Sequence, residues 1–371
     1  MKRIIQTAFI ILFLAVLAFP ILFFNRKGRI SETEKRTLSA KPELLTNHRL
    51  NQNFFSEYDS YFNDRFGGRN ELVLLNAKIN KLMNNSLYMC NDRAIQGKDG
   101  WYFYIRKKDS DNLKDFYKTN LMTDQEIDTF KNRISEAAGW CEDHNIKYIF
   151  LIAPNKHSVY EEFYPFIRPK GKTRCDQQVK VFEELKVPYV FPRDLLISKK
   201  SDYDFPLYYE TDTHWNPQGA YIAFTVLYEK IKSLFPETNF PKIEYKTEIE
   251  YNMNRGDLLS MLNIEKSKST WPTLTPVGHT NADFYKYRKY EGEGGDKGCQ
   301  TESPDKSLPR AIIFRDSFFI ALEPFTSPLF SEADYIWHLF DSSYEDYVLN
   351  YKPDLIIFES VERNSLYLGK F

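Results

Sequence analysis

The sequence predicts an α/β domain in which a mostly parallel sheet is covered by helices. Three observations carry this. From about residue 123, apolar runs of strand length alternate with amphipathic stretches of helix length. Thr123-Asp124-Gln125-Glu126 has the form of a capping box, a helix start placed directly before the first such stretch. And 371 residues with 42% hydrophobic content can bury the core of one large domain or two small ones.

The elements follow in order. Behind the capping box, Ile127, Phe130, Ile134, Ala137 and Cys141 recur on one helix face. Residues 148–153 are an apolar run closed by Pro154, which suits a buried strand. A short helix over 176–185 and a strand over 187–191 come next. Residues 217–235 read as a helix with Ala220, Ala223, Phe224, Leu227, Ile231 and Leu234 facing inward. Strands at 311–314, near 335–339 and at 355–358 complete the series, separated by a helix after Ser317 and another through Tyr347. Upstream, 71–83 reads as a helix and 95–103 as a hairpin turning at Asp99-Gly100. The stretch from Glu291-Gly292-Glu293-Gly294-Gly295 to about Pro309 reads either as a lid or as a disordered surface insertion.

Residues 4–24 carry no charge and are long enough to span a bilayer. Lys2 and Arg3 precede them, and Arg26, Lys27 and Arg29 follow. No small-residue cleavage site ends the run, so 1–25 is expected to be an uncleaved transmembrane signal anchor with the bulk of the chain outside the cytoplasm. Residues 26–55 then form a stalk, and 56–371 the main domain, of which 56–120 is a helical and hairpin extension.

Composition excludes several classes. A formal net charge of −1 supplies no field to recruit nucleic acid, and no nucleic-acid motif is visible. The four cysteines, Cys90, Cys141, Cys175 and Cys299, form no CxxC pair and no disulfide framework, although one or two bridges could form outside the cytoplasm. Gly171-Lys172-Thr173 is not a phosphate loop, because Phe166 stands where the first glycine belongs. No HExxH or other ligand spacing is present, and neither metal nor cofactor is expected. The 25 Tyr and 30 Phe suit an aromatic core and also clefts that handle carbohydrate.

Three segments could carry chemistry. In Glu210-Thr211-Asp212-Thr213-His214-Trp215-Asn216-Pro217, Asn216 is a plausible cap and Pro217 a good first helical residue. Asp212 and His214 stand just before, and in extended chain residues i and i+2 point the same way. An Asp that orients a His is half of a serine-hydrolase triad; a helix cap with a chance His, or an Asp-His metal pair, are the other readings. In 312–319 an apolar strand ends and Ser317 opens the next element, where a hydroxyl can be presented and backbone N–H groups can face an oxyanion. A capping Ser is the alternative. Asn155, after the 148–153 strand, could donate to the same oxyanion or be ordinary loop. Arg315, Lys156 and Trp215 are candidate substrate contacts; the two cations serve equally well as surface charges.

Asp-Thr-His-Trp-Asn-Pro-x-Gly-Ala at 212–220 and Phe-Arg-Asp-Ser-Phe at 314–318 resemble the alginate O-acetyltransferase group AlgJ/AlgX, also called DHHW and SGNH-hydrolase-like. Further matches are 61–66, 97–101, 153–156 with Val159-Tyr160, Gly256-Asp257-Leu258, and Lys352-Pro353-Asp354 through 359–363, so the resemblance spans roughly 54–365. It implies an SGNH-hydrolase-like fold, with Ser317 as nucleophile, His214 as base and Asp212 as orienting carboxylate. It implies transfer of acetyl groups to polysaccharide hydroxyls outside the membrane, with a membrane-bound O-acyltransferase as donor partner. Arg-Asp-Ser stands where better-known members have Gly-Asp-Ser. A polysaccharide esterase of the same fold, and a non-catalytic polysaccharide-binding protein, are the alternatives.

Overall fold

The computed structural model describes residues 90–369 apart from 107–111, 255, 266 and 292–296. Before them it describes 6–7, 9–10, 13–14, 18–19, 22–25, 30–31, 36–46, 49–51 and 54–67. The helix expected at 71–83, much of the apolar run 4–24 and parts of the stalk therefore lie outside the described residues. Among the described residues no helix is long and apolar enough to cross a membrane.

The chain forms two compact units, Met1–Met89 with Leu259–Glu265, and Cys90–Leu258 with Lys266–Phe371. In the first, a helix over Phe54–Arg65 is fastened at its end by Arg65, whose Nη1 donates to the Asn25 carbonyl at 3.0 Å. All that follows concerns the second.

Its centre is a seven-stranded sheet made of β1 (Lys147–Ala153), β2 (Tyr189–Val190), β3 (Lys286–Glu291), β4 (Lys297–Glu302), β5 (Arg310–Phe314), β6 (Glu332–Ile336) and β7 (Leu355–Val361). The order is β3-β4-β6-β5-β7-β1-β2. From β6 to β2 every pairing is parallel, whereas β3 and β4 join antiparallel. The expected mostly parallel sheet is present from β6 to β2, and the antiparallel β3 and β4 make the whole a mixed one. Of the stretch 291–309 expected as a lid or loose insertion, 292–296 lie outside the described residues and Lys297–Glu302 forms β4, with Cys299 and Thr301 buried. Glycines and charges conceal that strand from any apolar periodicity.

Alternate residues of the inner strands serve opposite faces. On one, Phe150, Phe314 and Phe358 meet Phe130, Ile134 and Cys141 of α1 (Asp124–Asp143) and Phe182 of α2 (Arg174–Leu185). The Phe150 ring stacks 5.4 Å from Phe182 and 5.1 Å from Phe358. On the other, Ile149, Leu151, Ile313 and Ile357 are equally buried. A sheet covered on both faces is what near-continuous apolar strands require. The Thr123 capping box is present, its hydroxyl accepting from Glu126 N–H.

Two further helices, α3 (Arg193–Lys199) and α4 (Pro217–Leu234), pack together. Ala220, Ala223, Leu227 and Ile231 of α4 are buried as expected; Phe224 is only half-buried and faces a groove. The helix expected after Ser317 is a 3-10 turn, Ser317–Ala321, followed by a short helix over Glu323–Thr326. Pro324 has no N–H for the carbonyl four residues back, so one α-helix cannot run through. A long hairpin, Tyr245–Asn254 against Ser267–Pro276, was not anticipated. The hairpin at Ala94–Gln96 and Tyr102–Tyr104 turns through Asp99 and Gly100, both with positive φ (51° and 82°), as a two-residue turn of this twist demands. All four cysteines are free, Cys90 exposed and the rest buried.

Candidate active site

The carboxyl ends of β1, β7 and β5 lie side by side, and ligands in open α/β sheets gather at such ends. The Ser317 segment leaves β5 there. Asp316 fixes its exit. Its N–H donates to Glu359 of β7 at 2.8 Å, one carboxylate oxygen accepts from Phe318 N–H at 2.8 Å, and the other accepts from Val361 N–H at 2.8 Å. Ser317 itself remains half-buried at the start of the 3-10 turn.

Asp212 and His214 arrive from a tight loop. Tyr208 bridges Trp215, and Asn216 N–H donates to the Leu207 carbonyl at 3.0 Å, so 207–216 doubles back on itself. Asn216 then caps α4, accepting from the N–H groups of Gln218 and Gly219. The loop is held from inside by Lys156, whose ammonium donates to the carbonyls of Tyr209, Glu210 and Asp212 at 2.9, 3.1 and 2.7 Å. Three acceptors match the three donors of a protonated lysine. Burial lowers the Lys156 pKa, and Asp257, Asp212 and Glu210 oppose that shift.

From outside, Asp257 completes the frame. Its carboxylate accepts from Thr213 N–H at 2.8 Å and from the Thr213 hydroxyl at 2.6 Å, while its own N–H donates to Asp212 Oδ2 at 3.0 Å. Gly256 permits this approach: a Cβ there would lie 2.0 Å from the Thr211 carbonyl oxygen.

The three side chains form one hydrogen-bonded chain. Asp212 Oδ1 lies 2.6 Å from His214 Nδ1, and His214 Nε2 lies 2.7 Å from Ser317 Oγ. An ionised carboxylate only accepts, so Nδ1 carries the proton and Nε2 is left to accept from the serine hydroxyl. Burial alone would lower the His214 pKa; its hydrogen bond to Asp212 and the charges of Asp212 and Asp257 outweigh that and raise it. Burial pushes Asp212 up, but the bond and charge of His214 prevail and hold it below the usual carboxylate range. For Asp257 burial wins, reinforced by the Asp212 charge, and its pKa is raised. Ligand atoms of Asp212, His214 and Asp257 all lie within 4.8 Å of one another, close enough for a cation. Those groups are already committed to Thr213 and to each other, and the remaining imidazole nitrogen addresses Ser317.

A cleft of about 460 Å³ opens over this chain. Tyr209, Pro217, Leu274, Phe318 and Pro324 are among its walls. Trp215, offered above as a substrate contact, lines it but is fully buried, with its indole N–H spent on the Phe318 carbonyl. The other two substrate candidates need correction. Lys156 is the internal cation of the 207–216 loop, and Arg315, 6% exposed, pairs with buried Glu323 at 3.0 Å and stacks on Trp337. Neither is among the residues lining the cleft. Asn155 is buried at the end of β1; its N–H donates to Glu362 and its Oδ1 accepts from Arg363 at 3.2 Å. Asp257 is the participant that residue-by-residue reading missed, since a lone Asp 43 positions beyond His214 gives no spacing signal.

The fold and this hydrogen-bonded chain place the protein among SGNH-hydrolase-like α/β proteins. Residues 94–290 match the family model described as "SGNH hydrolase-like domain, acetyltransferase AlgX", more than half of the chain, and the chain belongs to that family. The matched stretch contains Asp212 and His214 and ends before Ser317. Among solved structures, PatB1 of Bacillus cereus is similar at TM-score 0.56 and 15% identity, over 74% of this chain and 97% of that one. A DHHW family protein from Eubacterium siraeum reaches TM-score 0.51 at 15% identity, over 75% and 94%. The O-acetyltransferase domain of Pseudomonas putida AlgJ reaches 0.48 at 17% identity, over 74% and 93%. Among curated proteins there is no match.

Proposed function

We propose that the chain moves acetyl groups onto hydroxyls of a polysaccharide through an acetylated Ser317. Membership of an acetyltransferase family supports the reaction class. The observation that carries the proposal is His214 standing between Asp212 and Ser317 at 2.6 and 2.7 Å. In this reading Nε2 takes the serine proton as Oγ attacks the acetyl carbonyl of a donor ester. The tetrahedral intermediate collapses, the donor alcohol leaves with that proton, and acetyl-Ser317 remains. A sugar hydroxyl then gives its proton to Nε2, attacks the acetyl carbon and releases Ser317 reprotonated. The Ser317 N–H, with Asn155, is assigned to the developing oxyanion. Asp212 keeps the imidazole in the working tautomer and offsets its positive charge.

The same reading puts the working domain outside the cytoplasm on an anchor at 1–25, with acetyl supplied by a membrane-bound O-acyltransferase. The test uses purified protein, p-nitrophenyl acetate and an oligosaccharide acceptor. Acetylated sugar together with p-nitrophenol is expected; free acetate alone would mean an esterase. Unchanged activity in Ser317→Ala would remove the serine mechanism, and no activity in either protein would leave a binding protein.

A further inference from the structure

Beside the cleft lies a second concavity of about 420 Å³. Its floor and walls are aromatic: Tyr221, Phe224 and Tyr228 from α4, Tyr245 from the long hairpin, and Phe325. We propose that this groove is a sugar-binding subsite, holding an uncharged pyranose unit of the acceptor chain away from the hydroxyl that reacts. The inference rests on the glycan-acceptor reading above and adds to it where the chain lies.

Continuity with the cleft identifies the occupant, because three elements run from one concavity into the other. Pro217 lines the cleft at the start of α4. Tyr221, Phe224, Thr225 and Tyr228 continue along the same helix face at intervals of three and four residues, in the groove. At 1.5 Å per residue that stripe runs about 16 Å from Pro217 to Tyr228. Phe325 lines both concavities. In the hairpin, Leu274 lines the cleft, while Tyr245, paired with Pro276, lines the groove. A polymer with one unit over Ser317 therefore has a walled path beside it rather than open surface.

The chemistry of the walls selects the unit. A pyranose has faces of C–H bonds and a rim of hydroxyls. Aromatic rings, electron-rich on their faces, receive the former. At the groove's edge Thr225, Glu229, Lys242 and Glu244 are exposed and offer partners to the latter. Glu229 pairs at 3.3 Å with Lys232, whose ammonium lies over the Tyr228 ring, so two carboxylates stand against two ammoniums. That balance gives a polyanion no net attraction, which argues for an uncharged sugar. The volume falls in the range of small-ligand sites.

The test separates this subsite from the chemistry. Full-length Ser317→Ala in detergent would be titrated calorimetrically with neutral oligosaccharides of two to six hexose units, with and without Tyr228→Ala. Binding that strengthens with length, and weakens at least about tenfold in Tyr228→Ala while Tyr228→Phe restores it, is the expected result. In otherwise wild-type protein, Tyr228→Ala should raise KM for the long acceptor and leave cleavage of p-nitrophenyl acetate unchanged. Affinity that ignores chain length, ignores Tyr228, or is absent for neutral sugars would overturn the subsite. A serine variant that still cleaves ester would overturn the mechanism instead, leaving the binding result to stand.

Discussion

The Trp215 indole N–H donates to the carbonyl of Phe318 at 2.9 Å, so the residue after the imidazole is fastened to the residue after the hydroxyl. The two rings also meet edge to face at 5.5 Å. His214 and Ser317 are 103 positions apart in the chain, and this bond ties their two segments together through the Trp215 side chain. Trp215→Phe keeps much of the packing and leaves the Phe318 carbonyl without that donor. A loss of about 1–3 kcal/mol in stability is expected. Activity toward p-nitrophenyl acetate should fall in kcat, with KM little changed. Thermal unfolding together with steady-state kinetics checks both.

Asp212→Asn should fold and lose about 10³–10⁴-fold in kcat, because an amide can hold the wrong imidazole tautomer. The crystal structure of the variant and its pre-steady-state burst would show whether geometry survives while acylation slows. Retained activity would deny Asp212 the orienting role.

The base works only when unprotonated, so kcat/KM should rise with pH through the His214 pKa. Asp212 and Asp257 raise that pKa, which places the acid limb above the ordinary histidine value of about 6.5. Asp257→Asn removes one of the two negative charges, so the limb should move to lower pH. A pH–rate profile of the two proteins reads the sign directly, and a shift to higher pH would contradict the assignment.

Lys156→Met takes the cation out of the 207–216 loop and removes a donor from the Tyr209 and Asp212 carbonyls, while the Glu210 carbonyl keeps the Tyr102 N–H at 2.9 Å. Destabilisation of at least about 2 kcal/mol is expected from the two acceptors that lose their donor. Urea unfolding measures it. A surface lysine would show almost no change, so the contrast is wide.

Gly256→Ala tests the tight passage beside Thr211. The added Cβ would overlap backbone, 2.3 Å from the Thr211 carbonyl carbon and 2.8 Å from the Asp212 nitrogen. Backbone cannot rotate aside as a side chain can, so Asp212 must shift. A large loss of kcat with the fold retained by circular dichroism is expected; unchanged kcat would show that the loop tolerates displacement.

Much of this site could be read before its structure. Asp212 and His214 announce themselves through i, i+2 spacing before a capped helix, and Ser317 through its place after an apolar strand. The supports could not, because each acts through space. Lys156 and Arg315 look like surface charges when only neighbours in sequence are visible, yet one fills a ring of carbonyls and the other pairs with Glu323. The same limit hid β4, whose buried positions are set by β3 and β6 rather than by an apolar run of its own.

The strand β3 ends the sheet on one side. A terminal strand offers a row of backbone groups to any other extended chain, and two copies of a protein can zip together there. Lys286, Arg288 and Lys289 stand exposed along this one. A second molecule approaching edge to edge would bring the same three cations, and like charges would meet before any ladder could form. The charged edge of β3 thus opposes pairing of this sheet with its own copy.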